Sequence, residues 1–155
     1  MLLSILFPLL LLGGIALAAQ SSVNGALGAR TDVLTSAWLT NIIGATVGLL
    51  LVLFFEPRQE FTMFTVPKWQ LLGAFFGTFA LITIVFAVPR IGTAATNVAI
   101  IAGQLFMGLM IDHFGWFGNT QLTLDYKRMA AIALLAGALY LIYLSNVRGS
   151  IGYTY

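Results

Sequence analysis

Five uninterrupted apolar blocks, at residues 2–27, 33–55, 69–88, 91–111 and 129–147, limit what this chain can become more than any other feature. Crossing about 30 Å of hydrocarbon takes roughly 20 helical residues, and each block is of that order. A water-soluble domain has about 25% charged residues. Here 8% are charged and 60% are hydrophobic. In water, so much apolar surface would aggregate. Strands of an outer-membrane barrel alternate polar and apolar residues, which these blocks do not. The sequence therefore predicts an all-α membrane protein with five transmembrane helices, residues 1–155 forming a single transmembrane domain in the lipid bilayer.

The segments between blocks carry the expected punctuation. Arg30 to Asp32 makes a tight turn, with Asp32 placed to cap the second helix. Residues 56–69 form a polar loop with two prolines. Pro67 sits where a first-turn proline is tolerated, and Trp69 suits the aromatic belt of the interface. Residues 112–128 make the longest loop, whose Phe114, Trp116 and Phe117 belong at the membrane surface. Small residues four apart, Gly44 and Gly48, Gly73 and Gly77, Ala133 and Gly137, are read as helix-packing positions.

The end of the first block, AAQSSVNGALGAR (Ala18 to Arg30), resembles a signal-peptidase site at its front edge. Cleavage after Ala18 would leave four spans. A leader has a positively charged start, and none is present here, so the block is read as a retained helix. Its Gly25 and Gly28 thin the helix where a partner can approach.

Lys and Arg in short loops orient a membrane protein. One side carries Arg58, Lys68, Lys127 and Arg128; the other carries Arg30, Arg90 and Arg148. A bias of one charge sets no orientation. Insertion in both directions would allow an antiparallel homodimer, ten spans related by an axis in the membrane plane, as in many secondary transporters. A paralogous chain of fixed opposite orientation would serve equally.

The chemistry available narrows the function. The net charge of +2 is scattered and forms no basic run, which argues against a nucleic-acid partner. There is no cysteine. No ionisable side chain lies in the middle of a span, which argues against a carboxylate-driven proton antiporter. No catalytic set is visible, so the chain is read as no enzyme, with no cofactor. His113 and Asp112 alone make no metal site.

What the spans do contain is neutral and polar. Gln20 and Asn24 share a face of the first helix, Asn41 lies in the second, and Thr93, Asn97 and Gln104 share a face of the fourth. Amides in hydrocarbon must find partners. They either bond neighbouring helices, at about 0.6 kcal/mol each, or line an aqueous cavity. On the second reading Gln20, Asn24, Asn41, Asn97 and Gln104 bind substrate. Arg90, Asp112 and His113 then stand at the cavity mouth or act in gating. A cavity without fixed charge suits a neutral, zwitterionic or weakly charged small-molecule solute.

One stretch resembles a known family. AVPRIGTAATNVAIIAGQLFMGLMIDHFGWFG (87–118), the Gln and Asn of AAQSSVNGALGAR, and the closing LLAGALYLIYL (134–144) are similar to the YdcZ-like family of small bacterial membrane proteins. Gly103-Gln104 and Asp112 to Gly115 are the most specific parts. The family belongs to the drug/metabolite transporter superfamily. The resemblance implies the bacterial inner membrane. It also implies five-helix half-units that pair, or fuse, into a ten-helix inverted-repeat exporter. The related small multidrug resistance proteins use a glutamate in the first helix, and this chain has none there. The leading expectation is a small-solute transporter, an exporter, working as an antiparallel homodimer or a paralogous heterodimer. The alternatives are a dual-topology ion channel and an accessory subunit without transport of its own.

Overall fold

The computed structural model describes residues 2–56 and 66–151, with side chains described at 2, 4–56 and 66–147. Most of the polar loop expected at 56–69, including Arg58, lies outside the described residues, as does the side chain of Arg148. Two of the seven charges in the orientation count fall there. Among the described residues every regular element is helical. Five stretches are long and apolar enough to cross a membrane: Ser4–Arg30, Val33–Phe55, Lys68–Ile91, Thr93–Phe114 and Tyr126–Val147. Contacts divide the chain into two units, Met1–Arg90 and Ile91–Tyr155.

In the first unit, α1 (Leu2–Arg30) runs for 29 residues. It continues past the expected end at 27 because Leu27 still accepts a bond from the Thr31 amide at 3.0 Å. Arg30 also places a cation where the helix dipole favours one. Helix α2 (Val33–Phe55) keeps its expected bounds. Asp32 is extended, and its carboxylate accepts from the Thr35 amide at 2.8 Å, occupying one of the orphan donors of the first turn. A 3₁₀ turn at Lys68–Leu71, capped by Pro67, leads into α3 (Leu72–Ile91). This helix passes through Pro89 instead of stopping before it. Proline fits helical φ, and its missing N–H costs one bond in the final turn only.

The core of this unit is small and lies at one end of the helices. Ser21, Asn24, Ser36, Ala37, Val85 and Val88 are buried. Gly25 and Gly28 make this possible. A Cβ built on Gly25 would lie 2.6 Å from Val88 Cγ1, and one on Gly28 would collide with Val85 Cγ1. The partner that approaches these glycines is the chain's own α3. The other glycines read as packing positions behave differently. Among the described residues, no heavy atom comes within 4 Å of a Cβ built on Gly44, Gly48, Gly73, Gly77 or Gly137. Large apolar side chains elsewhere, such as Leu10, Phe54 and Phe75, are exposed.

In the second unit, α4 (Thr93–Phe114) packs on α5 (Tyr126–Ile151). Gly92, at φ 84°, is the single residue between α3 and α4. Its carbonyl accepts from both the amide and the hydroxyl of Thr96, at 3.2 and 2.8 Å. Gly115 closes α4 in the left-handed conformation that favours glycine. Asp125 starts α5 by accepting from the Arg128 amide at 2.9 Å. Asn146 Nδ2 donates to the Ile91 carbonyl at 2.9 Å. Ala95, Thr96 and Leu109 are buried.

Candidate functional site

In the first unit, a polar ladder organises the residues of interest. Asp32, Ser36 and Thr40 follow one another at four-residue spacing, so they lie on one face of α2. That face meets α1. Ser36 Oγ donates to the Asn24 carbonyl at 3.0 Å, and Thr40 Oγ1 donates to Asn24 Oδ1 at 3.1 Å. Asn24 is only 6% exposed. Its Nδ2 is buried with no hydrogen-bond partner among the described residues. Asn41 Nδ2 donates to Thr78 Oγ1 at 3.2 Å, joining α2 to α3. Gln20, one turn before Asn24, is exposed. Hydrogen bonds therefore tie Asn24 to α2 and Asn41 to α3, and Gln20 to neither.

Other polar groups of the spans bond to their own helices. Thr46 donates to Ile42 and Thr83 to Phe79, at 2.9 and 3.0 Å. These two hydroxyls are satisfied on their own helices.

Asp32 and Arg90 lie at helix ends of this unit. The Thr35 amide, and then the Thr35 hydroxyl at 2.7 Å, hold the Asp32 carboxyl below its usual pKa. Arg90 folds back on α3. Its Nη1 donates to the Phe86 carbonyl, and the guanidinium lies 3.6 Å over the Phe86 ring.

In the second unit, Asn97 and Gln104 stand seven residues apart on one face of α4. Asn97 is half-buried and engaged in an interaction, whereas Gln104 is exposed. Gln104 lies near the middle of its helix, 11 residues from Thr93 and 10 from Phe114. Asp112 and His113 lie at the helix end and anchor the following loop. The Asp112 carbonyl accepts from the Leu122 amide at 2.8 Å, and its carboxylate pairs with Arg128 at 3.4 Å. The His113 carbonyl accepts from Gln121 Nε2 at 2.9 Å. The His113 Nδ1 is buried without a partner among the described residues. Its ring meets Phe114 edge-on, and Phe114 stacks on Trp116 at 5.2 Å. Among the described residues no three His, Asp or Glu gather to hold a metal ion.

Sequence reasoning overlooked four participants: Ser36, Thr40, Gln121 and Arg128. The first two carried a signal, the four-residue spacing from Asp32. The last two carried none, because their partners lie across a loop.

A family model described as "Putative inner membrane exporter, YdcZ" matches residues 5–141, which takes in α1 to α4 and much of α5. The protein named "Inner membrane protein YdcZ" of Escherichia coli (strain K12) is 26% identical over 140 residues, covering 87% of this chain and 93% of that one. No solved structure matches the chain.

Proposed function

Since this chain belongs to the YdcZ family and is a multi-pass protein of the inner membrane, we propose that it exports a small solute across that membrane. Its two units act as one transmembrane domain. That domain is half of a ten-helix assembly, completed by an inverted second copy or by a paralogous partner.

The observation that carries this reading is the exposure of Gln20 and Gln104 in the interior of apolar spans. Each lies roughly 15 Å from the nearer charged or capped end of its helix, at 1.5 Å per residue. A primary amide turned toward lipid leaves its polar atoms unsatisfied, which costs several kcal/mol in hydrocarbon. In the working assembly both amides therefore face something polar. Sites of inverted-repeat transporters lie near the bilayer midplane, and Gln104 lies near the middle of its own span. Gln20, Asn97 and Gln104 supply the solute's hydrogen bonds. Asn24 and Asn41 hold the helices around them and complete the lining. Arg90 and the Asp112–His113 pair stand at span ends, where a solute enters or leaves. The family name supports export as the direction.

The test begins with a metabolite panel, since a ligand that binds the folded state raises the unfolding midpoint. Transport of the hit is then measured in proteoliposomes. Gln20→Ala and Gln104→Ala should each lower transport about tenfold, the effect of losing one well-made hydrogen bond, with unchanged unfolding midpoints. Wild-type rates in the folded double variant would sink the site.

A further inference from the structure

We propose that a crevice at the α1–α2 turn holds the headgroup of an aminophospholipid, its ammonium at Asp32 and its phosphodiester at Arg90. The crevice is open on one side and has a volume of about 410 Å³, within the first unit, a size in the range of small-ligand pockets. Gly28 closes one side, Val33 and Val85 form apolar walls, and Asp32 and Arg90 supply the charges. Gly28 is in the last turn of α1, Asp32 precedes α2, and Arg90 is one residue from the end of α3. Three span ends meet here, so the crevice lies at the depth of lipid headgroups.

The two charges line one crevice without forming an ion pair with each other. Asp32 uses its carboxylate on Thr35, and each oxygen keeps a further lone pair for an ammonium. Arg90 spends one of its N–H donors on the Phe86 carbonyl. Stacking on the Phe86 ring fixes the plane of the others. Both side chains are exposed, so a ligand can reach them. A ligand that satisfies both needs a cation and an anion joined by a short linker, with an apolar body for the valine walls. An ethanolamine phospholipid has this form. A phosphatidylglycerol offers Asp32 no cation, and a quaternary choline offers it no N–H.

This proposal does not rest on the transport reading: lipid retention and solute flux are read separately. The test is native mass spectrometry of the full-length protein with equimolar phosphatidylethanolamine, phosphatidylglycerol and phosphatidylcholine. The wild type should retain phosphatidylethanolamine about tenfold over the other two, the scale of a hydrogen bond to a charged group. Asp32→Asn keeps the helix cap, because asparagine caps as well as aspartate, and should lose the preference over phosphatidylglycerol. Arg90→Gln should lose retention of all three phospholipids. Equal retention of the three lipids by the wild type overturns the proposal, and so does wild-type selectivity in both variants. If soluble glycerophosphoethanolamine raises the unfolding midpoint as far as the lipid does, the lipid assignment falls in favour of a soluble zwitterion.

Discussion

Gly25 and Gly28 on α1, and Gly44 and Gly48 on α2, look alike in sequence: small residues three or four apart within an apolar span. In the folded chain they have different surroundings. The α1 pair lies under Val88 and Val85, with no room for a methyl group, while the α2 pair has open space above it. Spacing permits close approach, and something else must drive it. On α1 the driver is the neighbouring polar face: Ser36 and Thr40 bond to Asn24 and draw α2 in, and the branched valines of α3 fill the remaining notch. On α2 an interhelical bond, Asn41 to Thr78, stands one turn from Gly44, and among the described residues it brings no side chain over Gly44 or Gly48. Thr46, between them, satisfies its hydroxyl on its own helix.

The sharpest way to break this contrast is to fill both sets. Gly25→Ala and Gly28→Ala force Val88 and Val85 to move. Valine is stiff at χ1, so each should cost about 1–3 kcal/mol of stability, the usual range for overpacking. Val85→Ala should recover much of the Gly28→Ala loss, and a double-mutant cycle measures that coupling. Gly44→Ala and Gly77→Ala should stay within about 0.5 kcal/mol of wild type. Denaturant unfolding in detergent reads all of these. An equal loss at Gly44 would mean that a second chain packs there, and the contrast would be one between internal and external contacts.

A smaller effect tests the ladder. Ser36→Ala removes one interhelical bond and should cost about 0.6 kcal/mol. Thr83→Ala, whose hydroxyl bonds only to its own helix, should cost less in the same assay. If the two are equal, the ladder draws nothing together.

The smallest effect concerns pH. The Asp32 carboxyl is held below its usual 3.8, chiefly by the Thr35 amide. Folding therefore favours the ionised form. Its contribution is complete above the unfolded value and is lost as pH falls through the folded one. Between about pH 5 and about pH 3 the wild-type midpoint should fall further than that of Asp32→Asn. Parallel curves would show that the cap contributes no pH dependence.

The sequence made the helices legible where a single local device decides them. Asp32 caps α2, and the expected start at 33 is where α2 begins. The expected end of the third span at 88 falls short of Ile91, because α3 continues through Pro89 in its last turn, where one missing N–H matters little. The site was legible as composition: amides stand out in apolar spans. Their uses were not. Asn24 and Gln20 share a helical face, yet one is buried against α2 and the other is exposed. That distinction depends on which residues a neighbouring helix presents, and no spacing within α1 encodes it. The pairing of Asp112 with Arg128 depends in the same way on how the loop between them turns.

The length of α1 has a mechanical consequence. The span Ser4–Arg30 has 27 residues, roughly 40 Å of helix at 1.5 Å per residue, against a hydrocarbon core of about 30 Å. The excess is taken up by leaning the helix, by bending it at Pro8, or by carrying its ends out among the headgroups. Its C-terminal part is pinned by Gly25 and Gly28 against α3, so the adjustment falls to the apolar first half. A change in bilayer thickness then falls on that half: a thinner bilayer tilts it further or carries its end out among the headgroups, and a thicker one stands it more upright.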